Sequence, residues 1–119
     1  MNISQFAAKT ALTPHTLRYY EKLGLLMHVQ RNRSGHRSYS QADMNWVMFI
    51  NRLRETGMPL KQILEYAQLR AQGDQTFSQR QQLLQQHRDA LKTRIESEQE
   101  HLRALDAKIQ YYASNQPLT

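Results

Sequence analysis

Arginine and hydroxyl side chains are the groups in this sequence best suited to specific chemistry, which is the recognition of phosphates and base edges. Arg18 can hydrogen bond bidentately with guanine or with a phosphate. Three more arginines cluster between residues 31 and 37, where a solvated loop is the alternative interpretation. Of two adjacent tyrosines, we expect Tyr19 in the core and Tyr20 at the nucleic acid. The predicted DNA contacts are Thr16, Arg18, Tyr20, Arg31, Arg33, Arg37 and Tyr39.

The pattern of polar residues does not resemble a catalytic or metal-binding site. The five histidines lack the spacing of a metal site, and there is no cysteine to act as a ligand or a nucleophile. Neither a glycine-rich phosphate loop nor a serine elbow occurs. The sequence therefore predicts a protein that is not an enzyme, with no catalytic residues, no metal site and no cofactor.

Positive charge is concentrated in the first part of the chain. The net charge is +6, with ten basic and four acidic residues in 1–70 but six of each in 71–119. This asymmetry predicts a basic binding head and a neutral second module, random clustering of surface charge being the alternative. No signal peptide is visible, and no apolar stretch approaches the roughly 18 residues of a membrane helix. We therefore expect a cytoplasmic protein with no membrane partner.

Two short helices joined by a tight turn are predicted at the start of the chain. The first spans residues 4–10, with Ser4 as its N-cap. The second begins with Thr13 as N-cap and Pro14 in the first helical position, and it ends before Gly24. This order is typical of a helix-turn-helix, whose second helix enters the major groove of DNA.

A hairpin and three further helices are predicted next. Residues 25–39 alternate around a polar turn that contains Gly35, which indicates a small β-hairpin, or wing. A capping box at residues 40–43 begins a helix that ends at Gly57, and Pro59 begins another. A second capping box, at residues 76–79, begins a helix that runs to residue 112.

The apolar residues of this long helix fall at heptad spacing, which predicts a coiled coil. Packing against the preceding helices of the same chain is the alternative. The predicted dimer interface consists of Leu84, Leu91, Ile95, Leu102, Leu105, Ile109 and Tyr112. The expected fold is mainly α: a winged helix-turn-helix head (1–70), a long C-terminal coiled-coil dimerisation helix (76–112) and a short tail (113–119).

The head resembles the DNA-binding domain of the MerR family of transcription regulators. The resemblance rests on Leu17-Arg18-Tyr19-Tyr20-Glu21, Gly24-Leu25-Leu26, Arg31, Gly35, Arg37, Tyr39, Asp43, Phe49-Ile50 and Gly57. The long helix is similar to the family's dimerisation helix, which pairs antiparallel. Three further segments resemble the small aldehyde- and thiol-responsive branch of the family: Thr56-Gly57-Met58, the wing from Arg31-Asn32 to Gly35, and the Lys108-Ile109-x-Tyr111-Tyr112 ending. This chain departs from that branch at Arg52, which stands where the branch is expected to carry its reactive cysteine.

The resemblance implies a homodimer that binds a palindrome in promoter DNA, distorts it and so controls transcription by RNA polymerase. The alternative is an architectural or nonspecific nucleic-acid-binding protein. For the inducing signal two possibilities stay open. One is noncovalent ligand binding near Tyr66, Phe77 and the partner's Tyr112; the other is control by protein abundance alone.

Overall fold

The structure, a computed structural model, describes residues 1–115 and residue 117. It is mainly helical, as predicted. Residues 1–83 form one compact unit, and the chain from residue 84 forms a second. None of the described helices is both long enough and apolar enough to cross a bilayer. The elements, in chain order, are α1 (Ile3–Thr10), α2 (Pro14–Leu23), β1 (Gln30–Arg31), β2 (Arg37–Ser38), α3 (Gln41–Glu55), α4 (Leu60–Ala71), a one-turn 3-10 helix (Asp74–Thr76) and α5 (Phe77–Ser114).

Helices α1 and α2 form the predicted helix-turn-helix. The N-cap of α1 is Asn2, whose side chain accepts a hydrogen bond from the Gln5 N–H at 2.8 Å, while the Gln5 side chain accepts from the Asn2 N–H at 3.0 Å. The prediction of Ser4 as N-cap is wrong, because Asn and Ser cap helices about equally well and the sequence offers both. Thr13 caps α2 as predicted, accepting from the Thr16 N–H at 3.1 Å.

A single core holds the helix-turn-helix against α3 and α4. Trp46 of α3 donates from Nε1 to the Leu25 carbonyl at 2.6 Å, which ties the loop after α2 to α3. Burying each large apolar side chain contributes about 1.5–3 kcal/mol, so this core fixes the position of α2. The fully buried apolar side chains are Phe6, Leu17, Leu25, Leu26, Val47, Ile50 and Ile63.

The segment between α2 and α3 forms the predicted wing, with Arg31 of β1 opposite Arg37 of β2 in an antiparallel pair. The side-chain oxygen of Asn32, Oδ1, accepts hydrogen bonds from the backbone N–H groups of Ser34 and His36, at 3.0 and 3.1 Å. The Arg31 guanidinium donates to the Gly35 carbonyl at 2.7 Å. Gly35 has φ 80°, in the left-handed region that glycine adopts without steric cost. The wing is therefore closed by its own polar groups.

The corner between α4 and α5 differs from the prediction. Thr76 is buried in the 3-10 turn, and its hydroxyl donates to the carbonyls of Leu69 and Gly73 at 2.7 and 2.8 Å. The prediction of a capping box at residues 76–79 is wrong, because α5 follows directly from the 3-10 turn and the hydroxyl points back to α4. Gly73, with φ 99°, makes the reversal possible.

In the second unit, α5 carries the apolar stripe at heptad spacing. Leu102, Leu105 and Ile109 are 58%, 62% and 64% exposed, while Leu84 and Leu91 are partly exposed. The helix continues to Ser114, two residues beyond its predicted end. A stripe of large apolar side chains that stays in water is costly, so the single chain leaves a hydrophobic surface to be covered.

Candidate nucleic-acid interface

The exposed face of α2 carries the first predicted contacts. Arg18 is exposed, one residue after Leu17, which is completely buried. Thr16 is partly exposed, and its hydroxyl oxygen accepts from the Thr13 hydroxyl at 3.0 Å. A hydroxyl that accepts one hydrogen bond still has its own proton to donate. Both side chains can therefore reach a base edge or a phosphate in front of α2.

The structure reverses the predicted roles of the two tyrosines of α2. Tyr20 is 3% exposed, and its hydroxyl accepts a hydrogen bond from the Arg54 guanidinium, which also lies 5.6 Å from the centre of the Tyr20 ring. Tyr19 is 50% exposed. The assignment of Tyr20 to the DNA surface is corrected, because residues three apart share a helix face and Tyr20 follows buried Leu17 at that distance. The same rule places Tyr19 at the surface.

Tyr39, another predicted contact, also lies in the core. It is 2% exposed, and its ring stacks on Phe6 with the ring centroids 4.3 Å apart. The buried hydroxyl has no hydrogen-bond partner among the described residues. Burial, and then the nearby Glu21 carboxylate, raise the pKa of Tyr39 above its usual 10.0. Tyr39 therefore supports the wing from inside and does not present a hydroxyl to DNA.

The remaining arginines are divided between a groove and the wing tip. Arg18, Arg31 and Arg37 line an open cavity of about 380 Å³ between α2, the wing and the start of α1. Arg33 lies exposed in the turn of the wing. The cavity is completed by Asn2, Ile3, Ser4, Gly35 and His36. We call this cavity the arginine groove. Three arginines line it, and arginine can bind a phosphate with two parallel hydrogen bonds, so the groove is suitable for a phosphate.

Two sets of contacts hold the wing, one to α2 and one to the start of α1. The Arg37 Nε lies 2.6 Å from a carboxylate oxygen of Glu21, in a partly buried ion pair. Backbone hydrogen bonds between Met1 and Tyr39, both 2.8 Å, bring the start of α1 against the end of the wing. The chemistry at the groove is therefore positioned by three separate elements.

Sequence reasoning did not identify His36, Asn2 or Ser4 as part of the groove. Asn2 and Ser4 reach the groove because the backbone of Met1 pairs with Tyr39, for which the sequence carries no local signal, and His36 belongs to it as part of the wing turn. For Tyr19, in contrast, the helical periodicity of α2 was a usable signal. Among the described residues, no three side chains of the His, Asp and Glu types come together as a metal site would require.

Comparison with known proteins gives consistent results. The model of the family described as "MerR HTH family regulatory protein" matches residues 1–69, and the model described as "MerR, DNA binding" matches residues 44–108. The transcriptional regulator AdhR of Bacillus subtilis is 41% identical over 91 residues, a match that covers 76% of this chain and 65% of AdhR. An HTH-type transcriptional regulator of Haemophilus influenzae is 33% identical over 106 residues, covering 89% and 78% of the two chains.

Solved structures agree with the sequence matches. A crystal structure of a putative MerR family regulator from Listeria monocytogenes superposes with a TM-score of 0.89 at 35% identity, covering 97% of this chain and 87% of that one. The structure of HiNmlR, a MerR family regulator lacking the sensor domain and bound to promoter DNA, has a TM-score of 0.83 at 31% identity, with coverages of 95% and 90%. The fold of the chain is thus that of DNA-binding regulators.

Proposed function

Because the chain belongs to the MerR family of regulatory proteins, we propose that it is a sequence-specific DNA-binding regulator that controls transcription from promoter DNA as a homodimer. The curated relatives described above are named transcriptional regulators, and none of them is an enzyme. The chain spans 65% of the length of AdhR, so its activity is inferred for these 119 residues alone. The cytoplasm, where bacterial promoters lie, is its proposed location.

The observation that carries this proposal is the arginine groove. Arg18 from α2 and Arg31 and Arg37 from the wing converge there, although they are far apart in sequence. Phosphate contacts by such groups set the register of a protein on DNA, while contacts to base edges provide sequence specificity. We assign base recognition to the exposed face of α2, with Thr16 and Arg18, and phosphate binding to the groove and to Arg33 at the tip of the wing.

The homodimer is proposed from the apolar stripe of α5. A second copy of the same helix, running antiparallel, would cover the exposed residues between Leu84 and Tyr112 and exclude water from them. We propose residues 1–70 as the DNA-binding domain, 76–112 as the dimerisation helix and 113–119 as a tail. Residues 116, 118 and 119 of that tail lie outside the described residues.

For the mechanism we propose that of the family: the dimer bends and untwists promoter DNA so that RNA polymerase can use an overlong spacer. Deforming DNA costs several kcal/mol, which contacts to the backbone can offset. The groove and the wing supply such contacts on each half-site. A thiol-based signal has no residue to act on in this sequence, which contains no cysteine, and Arg52 lies exposed on α3.

The proposal is tested by selecting ligands for the full chain from a library of random DNA duplexes and footprinting the enriched sequences. We expect one protected palindrome with two half-sites. Uniform protection without a consensus would instead support an architectural protein. Arg18→Ala should weaken the enrichment, whereas the matched variant Arg103→Ala, on the exposed part of α5, should enrich the same palindrome as the wild type.

A further inference from the structure

A closed hydrogen-bond network joins the last turn of α4 to the first turn of α5. The Arg80 Nε donates to the Thr76 hydroxyl at 3.0 Å, and its Nη2 donates to the Gly73 carbonyl, also at 3.0 Å. The single proton of the Thr76 hydroxyl is in turn shared by the Leu69 and Gly73 carbonyls, whose oxygens lie 2.7 and 2.8 Å away. Arg80 therefore clamps the α4–α5 corner from the α5 side.

The network has the properties of a rigid joint. Thr76 is 2% exposed, and a buried hydroxyl is costly unless it is hydrogen bonded, so any bend that breaks these bonds is resisted. The Arg80 guanidinium also lies 4.6 Å from the centre of the Phe77 ring, which restricts its orientation further. Only a planar, forked group can donate to Thr76 and Gly73 together while stacking on a ring, so a lysine would not replace it.

The α4–α5 corner can influence the spacing of the half-sites that a dimer binds. In dimers that bind through a helix-turn-helix, the distance and rotation between the two recognition helices determine the spacing of the half-sites. Changing that spacing by one base pair moves a half-site by roughly 3.4 Å and rotates it by about 34°, given about 10.5 base pairs per turn. The direction in which α5 begins contributes to this geometry, and the corner that sets it lies within residues 1–83, which form one compact unit.

We infer that Thr76 and Arg80 are positioning residues that determine the half-site spacing of the operator. The inference rests on the proposed function, a dimer that binds a palindrome. We do not expect either residue to contact DNA, because the Arg80 Nε and Nη2 groups donate to Thr76 and Gly73 of the chain itself.

The experiment measures the affinity of the full chain for the selected palindrome and for derivatives whose centre is lengthened or shortened by one and two base pairs. Thr76→Val keeps the shape of the side chain and removes the hydroxyl, whereas Thr76→Ser keeps the hydroxyl. We expect the ratio of affinities between the selected and the altered spacings to fall about fivefold or more in Thr76→Val, as the loss of hydrogen bonds at the joint would allow. Thr76→Ser should preserve it.

Arg80→Lys supplies a second test that keeps the charge of the chain and is less prone to disturb the core. It should flatten the spacing preference as Thr76→Val does, while Arg103→Ala should leave it unchanged. Affinity for a duplex with a single half-site should stay within about twofold of the wild type in all four variants, since the arginine groove is intact.

The results distinguish a failure of the proposed function from a failure of the positioning role of Thr76 and Arg80. If the wild type selects no palindrome, the proposed function itself fails. If it does, and Arg80→Lys and Thr76→Val bind single half-sites normally with the wild-type spacing preference, the inference is overturned while the function stands. Equal loss of affinity for every duplex, including single half-sites, would also overturn it, because it would show a structural role only.

Discussion

Two of the three arginines that line the groove already make polar contacts within the chain. Arg37 is paired with Glu21, and Arg31 donates to the carbonyl of Gly35. Side chains that are already ordered lose less rotamer freedom on binding, which favours affinity. Arg18 differs, because it is exposed on α2 and is available for a base or a phosphate. Under the proposed function, we therefore expect Arg18 to contribute to specificity and Arg31 and Arg37 to affinity.

Replacing Arg18 by alanine should weaken binding to the selected operator by about 1–3 kcal/mol, the usual contribution of a bidentate contact. Melting temperature and sedimentation should not change, because the side chain is exposed. Titration of labelled operator at fixed salt provides the measurement, with Arg103→Ala as the control of equal charge. Unaltered operator affinity would mean that α2 does not read DNA through this residue.

Tyr39→Phe should leave operator affinity unaltered and change the free energy of unfolding by no more than about 1 kcal/mol. The hydroxyl is buried without a partner among the described residues, so removing it sacrifices no hydrogen bond, and the stack on Phe6 persists. Tyr39→Ala should cost about 3–5 kcal/mol, as for other large aromatic side chains of a core. A loss of DNA affinity in Tyr39→Phe would restore the original assignment of this hydroxyl to DNA.

The raised pKa of Tyr39 also predicts a dependence on alkaline pH. A pKa that is higher in the folded than in the unfolded protein means that folding favours the neutral phenol. This contribution to stability is complete below the ordinary pKa near 10 and is lost as the pH rises through the folded-state value. Denaturant titrations at increasing pH should show a steeper loss in the wild type than in Tyr39→Phe. Parallel curves would contradict this.

At the scale of elements, the wing is held by local polar contacts, whereas the helices around it depend on the core. Its two strands have two residues each, which is too little for independent stability. The turn relies on the Asn32 side chain, which accepts two backbone N–H groups. The wing should therefore be the part of the head that is most easily loosened without unfolding the remainder.

Asn32→Ala should lower operator affinity about threefold to tenfold, because two hydrogen bonds of roughly 0.5–1.5 kcal/mol each no longer hold Arg31 and Arg33 in place. Global stability should fall by less, since residues 31–36 around this turn are exposed. Ser34→Ala, in the same turn, is the matched control. Equal affinities of Asn32→Ala and wild type, measured on the same duplex, would show that the wing does not need its ordered turn.

Local signals in the sequence were sufficient for most elements. The Thr13–Pro14 start of α2, the capping box at Ser40 and the glycine of the wing turn are each short-range features, and the structure confirms them. The error at Ser4 was a choice between two local capping residues, whereas the error at Thr76 occurred where tertiary contacts decide. Thr76 bonds backward to Leu69 rather than forward into α5, which depends on how α4 and the 3-10 turn pack.

In the candidate site, too, features encoded locally were predicted and features that depend on tertiary contacts were not. The arginines were identified from type and clustering, but the burial of Tyr39 depends on Phe6, more than thirty residues earlier in the chain. The groove itself required α1, α2 and the wing to be assembled. No pattern within one element carries that information. The tyrosine pair of α2 was the exception, since helical periodicity alone gives the observed order.

At the scale of the whole molecule, the chain combines a basic head with a helix that exposes its apolar stripe. Ile95 is 45% exposed and Tyr112 is 64% exposed in the single chain. The positive charge lies in the part of the chain that includes the groove, and residues 71–119 are neutral overall. A neutral, apolar surface suits association with a second copy, since it carries little charge repulsion.

Leu102→Asp and Ile109→Asp should each shift the protein towards monomers, because a carboxylate buried in an apolar seam without a partner is costly. Ala107→Asp introduces the same charge on the opposite face of α5 and should leave the assembly unchanged. Analytical ultracentrifugation over a range of concentrations distinguishes them. Dimers of Leu102→Asp with wild-type affinity for the full palindrome would refute the assignment of this stripe to the interface.

The buried indole of Trp46 gives the molecule an optical property of its own. It is the chain's single tryptophan, it is 7% exposed, and its ring contacts the Tyr66 ring and the Arg70 guanidinium. Its fluorescence should therefore report the state of residues 1–83 and be silent about the chain beyond residue 84. Circular dichroism, in contrast, is sensitive to every helix, including α5. Fluorescence and dichroism transitions that fail to coincide would thus show the two units unfolding at different denaturant concentrations, without any label being added.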